Sequence, residues 1–261
     1  MNVSPPSSSK KGTRRSFPAH RETILDILRY GQATPSFPVL RRMQLSDLVV
    51  ARRNSEYRIG WTTLFGKAYA MVCQQMPELR ELFVSYPRKH LYCHPHSVAS
   101  ISIHRPDDSG RERLIWGRWC NAESTSLIEL QNQLDMFCKA PLAQAYREGL
   151  IMENRNALLR RFVWWWVMRC SGRKRAKHVG TFSISSLGGQ GALNLHHPLI
   201  TTTSLAFGQI NSDHECDVSL ICDHRVIDGV LAATALQRLE RILNQEMATE
   251  LKGSLAQRVA A

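Results

Sequence analysis

The segment ICDHRVIDGV, residues 221–230, sets His224 between Asp223 and Arg225 and places Asp228 four residues after it. Imidazole is the side chain best matched to accept a proton near neutral pH. A base also needs a fixed ring. The alternation of Cys216, Val218, Leu220 and Cys222 predicts a strand that delivers His224 at its end. On such a strand Asp223 and Arg225 point away from the histidine, placed to pair with each other or with neighbours. Asp228 stands where a helix N-cap belongs, its carboxylate open to the backbone amides of GVLAA. Gly229 lets the chain turn closely there. On these residues alone the segment reads either as a polar strand-to-helix turn or as a base that does chemistry.

A second segment bears on that choice. GTFSISSLGGQGA, residues 180–192, is followed by TTSLAFGQI, and further upstream stand FGKAYAMVCQQMPELRELF and HPHSVASISIHRP. DHRVIDG, residues 223–229, resembles the active-site signature of dihydrolipoamide acyltransferases, the catalytic cores of 2-oxoacid dehydrogenase complexes. Chloramphenicol acetyltransferases carry a related His…Asp-Gly pattern. GTFSISSLG is similar to the family's G-T-F-T-I-S-x-L-G segment, and the likeness runs from about Trp61 to Asn244.

The resemblance implies an α/β fold, an α+β two-layer sandwich in which helices pack on a chloramphenicol acetyltransferase-like mixed sheet. It implies an acyltransferase in which His224 takes the proton of an attacking thiol, hydroxyl or amine. Ser185 matches the hydroxyl that donates to the oxyanion, a contact worth about 3 kcal/mol in the transition state. Ser186 is its neighbour, and strand alternation points only one of the two into the site. Asp228 would assist the histidine or fix the turn, while Asp223 and Arg225 match a framing ion pair. The family forms its site between subunits of a trimer, histidine from one chain and serine from the next, so a homotrimer is expected. No covalently bound cofactor is implied; coenzyme A or a phosphopantetheine thioester is the co-substrate. Full-length members carry lipoyl and subunit-binding domains. Here about 20 residues precede the first helical pattern, so a stand-alone form is expected, its acyl group arriving as acyl-CoA or on a carrier protein. The competing reading is a non-catalytic trimeric scaffold or binding module on the same fold.

The elements that must position these residues can be read in outline. An apolar face formed by Ile24, Leu25, Ile27 and Leu28 predicts a helix over 21–30, which GQATPSFPVLRR then breaks. Leu64, Phe65, Ala68, Met71 and Val72 predict a second helix, ended near Met76 by Pro77. Ala99, Ile101 and Ile103 alternate along a strand, and residues 126–137 form a capped amphipathic helix. Strands are expected over 179–187, 204–210 and 216–222, with a turn at 211–213. After Gly229 the period changes to 3.6, with Leu231, Ala235, Leu239 and Ile242 in one stripe. The expected organisation is a basic, disordered arm over 1–20, one catalytic domain over 21–246 and a C-terminal tail over 247–261.

Of 261 residues, 43% are hydrophobic, enough for one sizeable core. No apolar run approaches the roughly 18–20 residues of a membrane span, and the N-terminal segment has no secretory h-region. Seven scattered cysteines without a C-x-x-C pair indicate free thiols and a cytoplasmic location. The net charge of +12 is local: residues 1–20 hold four Lys or Arg without an acid, and 155–177 hold eight more. Residues 154–212 contain no Asp or Glu. Within this basic stretch three adjacent tryptophans, Trp164, Trp165 and Trp166, cannot all face one core in a helix or a strand. With Arg160, Arg161, Arg173, Lys174 and Arg175 they leave three readings open. These are a buried helix with a solvated basic end, a docking face for an acidic acyl carrier protein, and an interfacial helix making peripheral membrane contact. No nucleic-acid-binding motif accompanies the charge. Cys93, His94 and His96 lack a second ligand cluster, so no metal is expected. His196 and His197 fall in a loop, and Cys222 is expected in the core.

Overall fold

The computed structural model describes residues 12–259. Helix α1 (Ala19–Gln32) leads into strand β1 (Ser36–Gln44), then helices α2 (Ser46–Asn54) and α3 (Trp61–Gln75). Strands β2 (Glu81–Val84) and β3 (His90–Cys93) form a small hairpin, followed by β4 (Val98–Pro106) and β5 (Glu112–Cys120). Helices α4 (Leu127–Lys139), α5 (Leu142–Ala145), α6 (Arg147–Glu153), α7 (Ala157–Arg169) and α8 (Gly172–His178) come next. Strands β6 (Phe182–Ser186), β7 (Thr203–Phe207) and β8 (Glu215–Asp223) precede helix α9 (Gly229–Ile242) and helix α10 (Ala248–Val259).

Six strands make one mixed sheet in the order β1-β8-β7-β6-β4-β5. β6 lies parallel to both β4 and β7, and the remaining pairs are antiparallel. The main core lies on the face that carries Ile101, Phe182, Ile184, Leu205, Leu220 and Cys222, under α3 and α9. Each fully buried Leu or Phe in it contributes roughly 1.5–3 kcal/mol. Gly66 allows α3 to sit on Trp119, since a Cβ there would lie 2.7 Å from the indole. The opposite face is covered by α7, α8 and the segment 187–202, around a smaller cluster of Val167, Met168 and Val179. This is the α/β layering expected from the sequence.

Local chemistry explains the element ends. Met76 stands at φ −128°, outside the helical region, directly before Pro77. The Ser126 hydroxyl accepts from Glu129 N at 3.2 Å and caps α4. Two stretches differ from the sequence expectation. GQATPSFPVLRR does not remain a break: its second half is β1, an edge strand paired with β8, where Pro38 can forgo a ladder hydrogen bond. The stretch expected as a tail from 247 is helical and packed, with Met247, Ala248 and Leu251 buried. Glu250 there receives the Lys67 ammonium at 2.6 Å and Leu127 N at 3.0 Å. The arm expected over 1–20 lies outside the described residues as far as residue 11, and α1 already begins at Ala19.

Candidate active site

His224 follows the last residue of β8, and its amide donates to Pro35 O at 2.8 Å, extending the β1 ladder by one residue. Its ring lies 4.5 Å from that of Phe37, and Nδ1 is 3.1 Å from the carbonyl oxygen of Ile227. A carbonyl only accepts, so the proton sits on Nδ1 and the lone pair on Nε2. That is the tautomer a general base requires, held by backbone on one side and an aromatic ring on the other. Pro35 and Phe37 escaped the sequence reading because they lie in the proline-rich stretch taken as a break. The pairing of β1 with β8 was the missing signal.

Asp223 is buried and engages Arg225 twice, Nε to Oδ1 at 2.8 Å and Nη2 to Oδ2 at 2.6 Å. The Arg225 guanidinium also lies 4.5 Å from the centre of the Phe83 ring. The pair frames the strand end. Asp228 caps α9, its Oδ1 accepting from Leu231 N at 2.8 Å. Gly229 makes no close approach, since a Cβ there would meet nothing within 4 Å and its φ is not positive; the close turn lies at 223–227 instead, where Val226 N and Ile227 N donate to Asp223 O. Cys222 is buried in the core, and burial pushes its thiol up to about 12.

Ser185 lies in β6, half-buried, and its hydroxyl makes no hydrogen bond within the described residues. Its neighbours are engaged: Ser183 Oγ lies 3.3 Å from Thr201 Oγ1, and Ser186 Oγ accepts from Gly188 N at 3.3 Å. The sheet register separates Ser185 from His224. Ser185 pairs with Ala206 and Ala206 with Ser219, five residues before His224 on a strand two positions away. Strand geometry places the two about 19 Å apart within one chain. Their side chains also take opposite faces. His224 shares the parity of Cys222 and Leu220, and Ser185 that of Ser183, away from buried Phe182 and Ile184. A groove of about 560 Å³ opens at the serine end, lined by Trp61, Ser186, Gly188, Gly208 and Gln209.

The tryptophan-rich stretch is helix α7, and the three indoles splay around it. Trp164 packs on the smaller cluster, Trp165 lies 5.6 Å from Tyr86, and Trp166 is exposed with Lys174 6.0 Å from its ring. Two of the residues named for possible carrier or membrane contact are internal. Arg160 is buried with its Nε 2.6 Å from Asp26 Oδ2, and Arg175 is buried, donating to Ile200 O and Phe83 O. Neither can meet a carrier or a lipid. Burial holds the Arg175 guanidinium down at about 10. Arg161, Arg173 and Lys174 are exposed, although Arg161 also faces Asp26 at 3.5 Å. His94 turns back on its own loop, Nδ1 donating to His96 O at 2.9 Å, and among the described residues no cluster of three His, Cys, Asp or Glu could hold a metal ion. His196 Nε2 lies 3.0 Å from Ser36 Oγ, beside the His224 end of β1. No helix among the described residues is long and apolar enough to cross a membrane.

No protein-family model and no curated protein matches the sequence. Solved structures do match in fold. A probable dihydrolipoamide acetyltransferase from Listeria monocytogenes superposes with a TM-score of 0.64 at 17% identity, covering 91% of this chain and 96% of that one. A truncated catalytic core of the 2-oxoacid dehydrogenase multienzyme complex from Thermoplasma acidophilum gives 0.63 at 15% identity, covering 90% and 99%. The Azotobacter vinelandii dihydrolipoamide acetyltransferase gives 0.65 at 16% identity, covering 95% and 99%. The last was studied for the catalytic role of a serine, a histidine and an asparagine four residues beyond that histidine. The chain has the fold of these acyltransferase catalytic cores.

Proposed function

We propose that this chain, built on the fold of acyltransferase catalytic cores, moves an acyl group from a thioester to a thiol, hydroxyl or amine at a site shared by two subunits. The observation that carries the reading is the His224 ring, whose Nδ1–H is committed to Ile227 O and whose Nε2 is left as the base. The acceptor gives its proton to Nε2 as its thiol, hydroxyl or amine attacks the thioester carbon. The carbonyl π electrons move to oxygen, and the oxyanion takes a hydrogen bond from the Ser185 hydroxyl of the neighbouring subunit. Collapse reforms the carbonyl and breaks the C–S bond, and the leaving thiolate takes the proton back from the imidazolium. Asp228 enters only through the helix it caps. Supporting the two-subunit arrangement, the sheet register keeps His224 and Ser185 of one chain apart, and a closed trimer lets each serve a different partner. The donor is an acyl-CoA or an acyl carrier thioester, and the exposed cations Arg173 and Lys174 suit either anionic carrier.

The test is acyl transfer from a panel of acyl-CoA and acyl-carrier thioesters. Replacing His224 by Ala is expected to lower kcat/KM about 10³-fold. Transfer that survives His224→Ala would remove the base from the mechanism, and a trimer inert with every thioester would favour a scaffold.

A further inference from the structure

Helix α7 carries apolar bulk on two sides. Val167 and Met168 turn inward to the smaller cluster, while Leu158, Phe162 and Trp166 recur at i, i+4 and i+8 along the outward row. Leu158 is 76% exposed and Phe162 58%. Ring contacts widen the row. Phe162 lies against Trp165 with centroids 6.0 Å apart, and Trp165 reaches Tyr86 at 5.6 Å. Tyr86 is exposed in the turn between β2 and β3, and its amide donates to Arg169 O at 2.9 Å, fixing that turn to the end of α7. One aliphatic and aromatic surface therefore runs about 12 Å along the helix and on to the hairpin. A contiguous exposed patch of this kind marks an interaction site.

The rim of this surface has one sign. Arg88 and Lys89 stand in the same turn as Tyr86, Arg169 ends the helix, and Lys174 lies 6.0 Å from the Trp166 ring. All four are exposed, and none makes an ion pair among the described residues. Residues 154–212 hold no Asp or Glu to offset them. That combination selects the occupant. The core of a protein–protein interface is depleted of charge, whereas here uncompensated cations crowd the aromatic rings. A second copy in an isologous contact would set those cations against one another. An anionic bilayer satisfies both parts together: the acyl boundary takes the apolar row, indole and phenol rings sit at headgroup level, and the cations reach the lipid phosphates.

We propose that α7 and the β2–β3 turn form a peripheral binding surface for an anionic lipid bilayer, with Leu158, Phe162 and Trp166 seated at the boundary between headgroups and acyl chains. The probe is vesicles of phosphatidylcholine alone or with about 30 mol% phosphatidylglycerol, floated with the full-length protein. Binding to the anionic vesicles is expected, at least about tenfold above the neutral ones and weakening as salt rises. Insertion is read separately, as quenching of tryptophan emission by lipids brominated on their acyl chains, and Trp166→Phe should reduce that quenching. Leu158→Ser with Phe162→Ser leaves the net charge untouched, and it should weaken binding about 20-fold and abolish the quenching. Both positions are exposed, and circular dichroism checks that the variant folds. Arg88→Gln with Lys89→Gln should weaken binding about tenfold. His224→Ala should float as the parent does, so the outcome is independent of the acyl-transfer reading. Absence of flotation overturns the proposal, and binding of an acidic acyl carrier protein through Phe162 in its place would give the face to that partner. Flotation without quenching, or flotation undiminished in the folded serine variant, also overturns it, since the net charge of +12 alone would then explain adsorption. So does a change of oligomeric state in that variant by sedimentation, which would assign the row to a second copy.

Discussion

His224 and Ser185 stand on opposite faces of one sheet, separated along it by five residues of register and two strand spacings. In the mechanism proposed above, the proton acceptor and the oxyanion donor must lie within a few ångströms of the same carbonyl, and the register of a single chain does not bring this pair together. Mixing provides the test. On that mechanism, His224→Ala alone and Ser185→Ala alone are each expected to lose about 10²-fold or more of the acyl-transfer rate. Unfolded together at equal amounts and refolded, they should recover about a quarter of the parent sites, because one interface in four joins an intact histidine to an intact serine. Recovery would be measured as initial acyl-transfer rate against the fraction of mixed trimers; no recovery in confirmed mixed trimers would sink the shared site.

Asp228 separates a structural from a chemical role cleanly. Its carboxylate accepts from Leu231 N at the start of α9. Asn caps as well as Asp does, whereas Ala forfeits about 1 kcal/mol. Asp228→Asn should therefore unfold at the parental urea midpoint, and Asp228→Ala at a lower one. If the residue acts only through the helix it starts, the Asn variant also keeps parental kcat and an unchanged pH–rate profile. A shifted profile in a stable Asn variant would show that the carboxylate charge acts on the histidine.

The elements around the site were legible where one residue pattern had one physical solution. The alternation of Cys216, Val218, Leu220 and Cys222 became β8, and the stripe after Gly229 became α9 with Asp228 as its cap. What escaped was long-range. Proline in residues 35–38 reads as a break because local propensity cannot see that β8 supplies an edge position tolerant of it. Arg160 and Arg175 read as surface cations because their partners, Asp26 and the carbonyls of Phe83 and Ile200, lie far away in sequence. A cluster of charge along the chain is thus not a cluster on the surface.

The buried pair of Asp26 and Arg160 ties α1 to α7. Removing Asp26 leaves the buried Arg160 guanidinium only the part-exposed Glu22 carboxylate, Nη2 to Oε2 at 3.4 Å. Asp26→Ala is expected to cost about 3–5 kcal/mol in urea unfolding. Asp26→Leu combined with Arg160→Met replaces both charges with apolar bulk and should recover most of that loss. If Asp26→Ala unfolds at the parental midpoint, the pair does not hold the helices together.

His197 gives the fold a predictable response to acid. Burial holds the imidazole below its ordinary value of 6.5, with neighbouring His196 adding to the effect, and Nδ1 has no hydrogen-bond partner. The neutral ring is therefore the form the folded chain prefers. Above 6.5 both folded and unfolded chains carry it neutral, and this contribution to stability is fully present. As the pH falls through that value the unfolded chain takes up a proton first, so stability declines with acidification. Urea unfolding free energies measured at about pH 7.5 and about pH 5.5 should drop for the parent by more than for His197→Leu, which cannot titrate. Other groups lower the stability of both proteins in acid, so the difference between the two slopes is the quantity that isolates this ring. An equal slope in the two proteins would mean that His197 protonates freely in the folded chain.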